Sequence, residues 1–263
     1  MYDLLSNLLS DKKGGAVFTC FGAAHVCYIL LTVIAAAIVI SYARKKNTDE
    51  KLRITRILSG VAFGLYMLDI FLMPLAYGEI DIEKLPFHAC TATCVACFLS
   101  HRVGFLKKYR LPITLLALIS NLVYLVYPAG VMWHAVHPLS YRVIQTLIFH
   151  SLMTVYGALT VARERDRLTL RECHRDLTVI VAMTLWALLG NYAYNGSSDG
   201  YSHFFNWFFV VRDPFYAIPA HIAPFVMPFL NIAIFFAVSL TIRLLASVTA
   251  RIHHRKGIQY NEK

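Results

Sequence analysis

Cys90 closes the run Leu85-Pro86-Phe87-His88-Ala89-Cys90. Proline suits the first turn of a helix, where its missing N–H costs nothing, so the spacing predicts that Cys90 lies near a helix N-terminus. That position favours thiolate and offers free N–H groups to an oxyanion, which makes Cys90 a candidate nucleophile. His88 is two positions away, ~200° around a regular helix, which argues against it as partner base unless the backbone there is irregular. His150 is the better candidate. It ends the run Arg142-Val-Ile-Gln145-Thr-Leu-Ile-Phe-His150, in which Arg142, Gln145 and His150 share an arc of roughly 140° and His150 lies some 12 Å along the axis from Arg142. Asp69 or Asn191 would orient a histidine, completing the nucleophile, base and orienter set used in acyl transfer. A metal is the competing use: His88, Cys90, Cys94, Cys97 and His101 are ligand types suited to zinc, and the C-x3-C-x2-C spacing imitates an iron–sulfur signature. That signature belongs to loops of soluble domains, and here it falls in an apolar stretch. Cysteine is common as a small apolar residue in helices, so Cys94, Cys97, Cys20 and Cys27 read as packing residues, and neither metal nor cofactor is expected.

The elements that position these residues are read from hydropathy. Of 263 residues 58% are hydrophobic and 15% charged, too apolar for a soluble domain. A hydrocarbon core of ~30 Å needs about 20 apolar residues in helix. Such stretches recur at 16–43, 54–77, 86–101, 111–128, 141–162, 177–195 and 218–247. The third is the shortest and carries His88, Thr91 and Thr93, so other helices must shelter it. The segments 44–56, 102–110 and 163–175 are rich in Lys and Arg, and the C-terminal tail adds Arg251, Arg255 and Lys256. The alternate segments hold Lys84 and Arg212 as their strong cations, among Glu79, Asp81, Glu83, Asp199 and Asp213. By the positive-inside rule the basic set is cytoplasmic. The fold predicted is an all-α integral membrane protein: a seven-transmembrane-helix bundle with its N-terminus outside and its C-terminus cytoplasmic. The net charge of +10 is then topological and excludes a nucleic-acid partner. The chain reads as a single membrane domain over 1–263. Leu4, Leu5, Leu8 and Leu9 share one face of an interfacial helix over 1–15. The 248–263 stretch is a basic cytoplasmic tail, with Ile242 to Lys256 leaving the membrane into anionic headgroups. Residues 1–15 lack the pattern of a cleavable signal peptide.

With that topology, intramembrane polar residues gather in the outer half: His25 on the first helix, Tyr66 and Asp69 on the second, His88, Cys90 and Thr91 on the third, Arg142, Gln145 and His150 on the fifth, Asn191, Tyr192 and Asn195 on the sixth, His221 on the seventh. Polar groups are costly in lipid unless they face a bundle interior or a wet cavity, and a common polar cavity open to the outside accounts for them together. Polar side chains also join membrane helices without doing chemistry, which is the preferred reading for Tyr66, Asn195 and His25.

These segments resemble the ordered motifs of a known group. Leu85-Pro86-Phe87-His88-Ala89-Cys90, Arg142-x2-Gln145-x4-His150, Asn191-Tyr192-Ala-Tyr194 and Asp213-Pro214-Phe215-Tyr216 look like those of the YwaF-like membrane proteins, related to the eukaryotic transmembrane protein 164 family. The resemblance covers helices 3 to 7; helices 1 and 2 match in hydropathy alone. It implies a seven-helix fold, and the eukaryotic branch is regarded as acyltransferases acting on phospholipids through a cysteine. Carried over, the matching residues are Cys90, His88 and His150, with Arg142, Gln145, Asn191 and Tyr192 around the pocket. The chain departs from the pattern near Asn195, where Gly196-Ser197-Ser198-Asp199-Gly200 and the aromatics Phe204, Phe205, Trp207, Phe208 and Phe209 would form a lid or an interfacial anchor.

The function expected is a thiol-dependent acyltransferase or lipase-like enzyme. Cys90, His150 and His88 are its catalytic candidates, and Arg142, Gln145, Asn191, Tyr192, Asp69 and Thr91 bind substrate. Its partners are membrane lipids, through phospholipid acyl chains, at the plasma membrane if the source is bacterial. The alternative is a transporter or small-ligand receptor using the same cavity, in which Cys90→Ser is nearly harmless and Arg142→Ala severe. Inverted repeats and paired broken helices, the marks of many transporters, are missing, as is the mid-span lysine of a retinal photoreceptor. A structural or assembly role fits everything except the clustered polar interior.

Overall fold

Backbone N–H and C=O groups in lipid must be satisfied within the chain, so apolar runs of this length become helices. A computed structural model describes residues 16–77, 82–132, 135–195, 205–215 and 217–261, and every regular element among them is helical. Seven apolar helices follow in order: α1 (Ala23–Arg44), α2 (Thr48–Tyr77), α3 (Ala89–Ser100), α4 (Arg110–Val126), α5 (Tyr141–Arg163), α6 (Cys173–Asn195) and α7 (Ala223–Asn261). Five of them, α1, α2, α5, α6 and α7, are long and apolar enough to cross a membrane, while α3 and α4 are shorter, at 12 and 17 residues. The chain is a multi-pass membrane protein. The segment expected as an interfacial helix over 1–15 and the Gly196–Gly200 part of the expected lid or interfacial anchor, together with Phe204 and Tyr216, lie outside the described residues.

The helix boundaries differ from the hydropathy reading for local reasons. Before α1, Phe21 adopts a left-handed backbone (φ 57°) and Gly22 is extended. The chain therefore enters extended, with the Phe18 N–H donated to the Val136 carbonyl at 2.8 Å. α2 begins at Thr48 rather than 54 because Asn47 and Glu50 form a capping box: Asn47 Oδ1 accepts the Glu50 N–H at 2.8 Å and Glu50 Oε2 accepts the Asn47 N–H at 3.2 Å. α3 begins at Ala89, with His88 as N-cap in extended conformation, so Pro86 precedes the helix instead of opening it.

α5 is the central helix, packed against α1, α2 and α4. Its contact with α4 requires Gly157, since a Cβ there would approach Leu118 Cβ to 2.8 Å. The basic segments gather at one end of the bundle, where Arg163 donates to Thr55 Oγ1 at 2.9 Å and Arg243 to the Thr169 carbonyl at 2.9 Å. At this end Glu164 is buried and accepts from Arg110 Nε and Nη2 at 3.1 and 2.7 Å, from Arg167 at 2.8 Å, and from Arg163. Burial alone would raise the Glu164 pKa, but the Arg110 and Arg163 guanidiniums more than offset it and hold the carboxyl below its ordinary value. A lowered folded pKa contributes stability that is present above the unfolded value of about 4.3 and is lost as pH falls through the folded one. Melting temperature should therefore drop on acidification below about pH 4.3, and Glu164→Gln should flatten that part of the profile. An identical acid limb in wild type and Glu164→Gln would exclude this carboxylate as a source.

Deeper among the same helix ends lies an ion pair that sequence inspection missed. Asp176, in the first turn of α6, holds Arg243 of α7 in a two-point contact at 2.5 and 2.7 Å, with Ser239 Oγ donating to Asp176 Oδ2 at 2.6 Å. Arg243 is wholly buried, so at this position the sequence between Ile242 and Lys256 faces the protein rather than lipid headgroups.

Candidate functional site

Two helices serve as depth rulers for the chain between α2 and α3. The Tyr66 hydroxyl donates to the Lys84 carbonyl at 2.7 Å, and Asp69 pairs with Lys84 Nζ at 2.7 Å. α2 runs on to Tyr77, so at ~1.5 Å per residue Lys84 sits roughly 16 Å back from the end of α2. Trp186 Nε1 donates to the Pro86 carbonyl at 2.7 Å, some 13 Å back from the Asn195 end of α6. The segment 82–88 therefore re-enters the bundle and delivers the N-terminus of α3 to mid-depth. This explains the shortness of α3 and sets its N-terminus about 13–16 Å back from the ends of α6 and α2. Irregular backbone is tolerated at such depth only when protein surrounds it, and Trp186 and Tyr66 supply that surround.

Cys90 is the second residue of α3. Its own N–H and that of Thr91 are two of the four that a helix start leaves unpaired, and Lys84 lies within electrostatic reach of its sulfur. Thr91 Oγ1 donates to the His88 carbonyl at 3.2 Å, steadying that first turn. His88 is extended, so the helical-wheel objection to it no longer applies.

His150 lies on α5 about 13 Å below its start, at the depth of this helix N-terminus. Its Nδ1 is 2.7 Å from the Thr146 carbonyl. A carbonyl only accepts, so Nδ1 carries the proton and Nε2 presents a lone pair. Nε2 is buried and makes no hydrogen bond within the protein. Its ring stacks on Tyr124 of α4 at 3.7 Å between centroids and 9° between planes. Tyr124 in turn lies within electrostatic reach of Cys90 and Arg142, and His150 within reach of His88 and Lys84. One level further in, Asn121 Oδ1 and Thr154 Oγ1 are also buried without partners in the protein, and buried polar atoms of this kind are nearly always paired with protein or ordered water.

The other expected site residues divide. Asp69 faces the cluster but is bonded to Lys84 and to the Tyr141 hydroxyl at 3.1 Å, not to a histidine; the orienter of His150 is a backbone carbonyl. Asn191 is spent on the Trp207 backbone, accepting its N–H at 3.0 Å and donating to its carbonyl at 3.0 Å. Tyr192 is 61% exposed on the outer face of α6 and does not line the cluster. Arg142 reaches Tyr124, and Gln145 accepts from Thr146 Oγ1 at 3.3 Å. Gln145 also borders a crevice of about 170 Å³ between α2 and α5 with Leu65, Leu68, Tyr141, Ile144 and Ile148. Lys84, Tyr124, Thr146 and Asn121 were not singled out from sequence; only their partners across the bundle mark them. Cys94 and Cys97 are buried in the apolar core. Among the described residues no group of three or more His, Cys, Asp or Glu is placed to hold a metal ion.

The model of the TMEM164 family matches residues 20–249. The chain belongs to the TMEM164 family. No curated protein and no solved structure matches it.

In this TMEM164 family member the aromatic segment after α6 roofs the site. Trp207 is fully buried, stacked on Phe205 at 4.6 Å and 2°, against Phe87 at 5.0 Å, and edge-on to His88 at 6.5 Å. Phe208 and Phe209 both adopt left-handed backbone (φ 58° and 53°), which costs of order 1–3 kcal/mol each for such residues. Asparagine side chains hold the strained turn: Asn191 on Trp207, Asn195 on Phe205 at 2.7 and 2.8 Å, Asn231 on the Phe208 carbonyl. The expected lid is thus a fastened roof, and Asn195 has the structural role preferred for it. His25 is likewise structural, since its Nδ1 accepts the Phe21 N–H at 2.9 Å and its Nε2 lies 2.6 Å from the Leu125 carbonyl. Phe87 passes under the roof against Gly190, where a Cβ would come within 2.4 Å of the ring. Gly190→Ala should displace Phe87 and with it the start of α3, lowering stability by about 1–3 kcal/mol and shifting tryptophan emission, because Phe87 packs on both Trp186 and Trp207. Unchanged emission and melting would mean that the ring has room to move.

Proposed function

We propose that this protein is a membrane-embedded acyl-transfer enzyme acting on phospholipid esters, with Cys90 as nucleophile and His150 as base. What supports the reading is the buried Nε2 of His150, without a partner in the protein while Nδ1 is held at the Thr146 carbonyl, together with Cys90 at the start of α3 and the Lys84 charge within reach of both residues. Nε2 takes the thiol proton and the sulfur attacks the ester carbonyl. The N–H groups at the start of α3 receive the developing oxyanion. The leaving lysolipid oxygen takes the proton back from the imidazolium, leaving a thioester on Cys90 that an acceptor hydroxyl or water then cleaves. The α2–α5 crevice, apolar along Leu65, Leu68, Ile144 and Ile148, suits an acyl chain entering from the bilayer. In this reading all seven helices cross, α3 completing its ~18 Å through the re-entrant segment, with the basic end cytoplasmic and the N-terminus outside. A solute-binding role fits less well, because Asn191 is already committed to Trp207.

The test is intact-protein mass spectrometry after incubation in lipid nanodiscs. A fatty-acyl mass removed by hydroxylamine, mapped to Cys90 and absent in Cys90→Ala, is expected. If no adduct forms even when His150 is replaced to slow turnover, covalent catalysis by Cys90 fails.

A further inference from the structure

At the basic end of the bundle one buried histidine lies within electrostatic reach of four arginines. His101 follows α3 and is 94% buried, at 6% relative exposure. Its Nε2 lies 3.3 Å from the Tyr156 hydroxyl, which is 3.4 Å from Thr114 Oγ1. Its Nδ1 is buried with no partner in the protein, and so is Thr160 Oγ1, one turn before Glu164 on α5. The charges of Arg110, Arg163, Arg56 and Arg102 all reach His101. The contacts put these arginines at one end of the bundle: Arg163 bonds Thr55, the residue before Arg56, Arg110 bonds Glu164, and Arg102, next to His101 in the chain, donates to the Phe98 carbonyl at 3.0 Å and lies over the Phe98 ring at 3.7 Å.

Topology accounts for basic loops at this end, but not for the buried, unpartnered Nδ1 of His101 among them. Glu164 is the one carboxylate among the described residues in contact with these arginines, and Arg167 shares it. The charge that remains is strongly positive. Arg110 and Arg163 are held by Glu164, while Arg56 and Arg102 are exposed at the rim. Basic pockets between membrane helices at this position bind lipid headgroups, and a guanidinium matches two phosphate oxygens at once.

We propose that this end of the bundle is a binding site for the phosphate of an anionic phospholipid, held by Arg56 and Arg102 at the rim and directed toward His101. The site lies at the opposite end from Cys90 and does not depend on the acyl-transfer reading. Its test is native mass spectrometry of the full-length protein in detergent, titrated with phosphatidylglycerol, phosphatidylcholine or inorganic phosphate. Phosphatidylglycerol should be retained over phosphatidylcholine, and R56Q/R102Q should weaken that retention at least about tenfold. An equal charge removal at R44Q/K45Q, on the exposed end of α1, should leave it nearly unchanged. Equal losses in the two double variants would reduce the effect to general attraction and overturn the site. So would equal retention of both lipids. Binding of inorganic phosphate in place of the lipid would overturn the lipid as its source.

Discussion

Cys90→Ala should remove acyl transfer altogether, and His150→Ala should lower kcat about 10²- to 10⁴-fold with KM little changed. In the proposed mechanism the two residues act as a unit, so the double variant should be no slower than Cys90→Ala alone. Neither change should unfold the protein. Cys90 is only partly buried beside the free N–H groups of α3. His150 loses one hydrogen bond, to a Thr146 carbonyl that can stay paired within its helix. A melting curve close to wild type is therefore expected for Cys90→Ala, and a lower but still cooperative one for His150→Ala, which also removes a buried ring stacked on Tyr124. Cys90→Ser should retain a small residual rate, since a hydroxyl is a weaker nucleophile than a thiol at neutral pH. Full turnover in folded Cys90→Ala and His150→Ala would remove the mechanism. Full turnover in Cys90→Ser with a severe loss in Arg142→Ala would move the cluster to ligand binding.

Asp176→Asn should destabilise the protein by about 3–5 kcal/mol, because it leaves the fully buried Arg243 without its counter-charge. Arg243 also donates to the Arg167 and Thr169 carbonyls at 3.3 and 2.9 Å, so the pair fastens the α6–α7 hairpin to the segment that precedes it. Arg243→Met should cost a similar amount through the stranded Asp176. The double change Asp176→Leu with Arg243→Met should recover most of the loss, since apolar residues of similar volume replace a buried pair with little penalty. Thermal unfolding in nanodiscs reads all three. A single variant that melts within experimental error of wild type would show the pair to be solvated.

The order of residues alone was enough to give the class of protein and its apolar segments. Hydropathy responds to the cost of leaving polar backbone in lipid, and each predicted segment overlaps one observed helix. It also marked Cys90, His88 and His150, because a cysteine and two histidines in apolar runs are conspicuous by type. What it could not give was depth within α3, because hydropathy counts residues and does not see a segment folding back. The Tyr66–Lys84 and Trp186–Pro86 bonds place Cys90 deep in the bundle, and those partners are 18 and 100 residues apart in the chain. Tertiary structure also decided which polar residues are structural. Asn191 and Tyr192 are adjacent in sequence, yet one is buried on the Trp207 backbone and the other faces outward. The tautomer of His150 and the burial of Arg243 were set in the same way. Both depend on which donor or acceptor the packing brings within 3 Å, and residue type leaves that open.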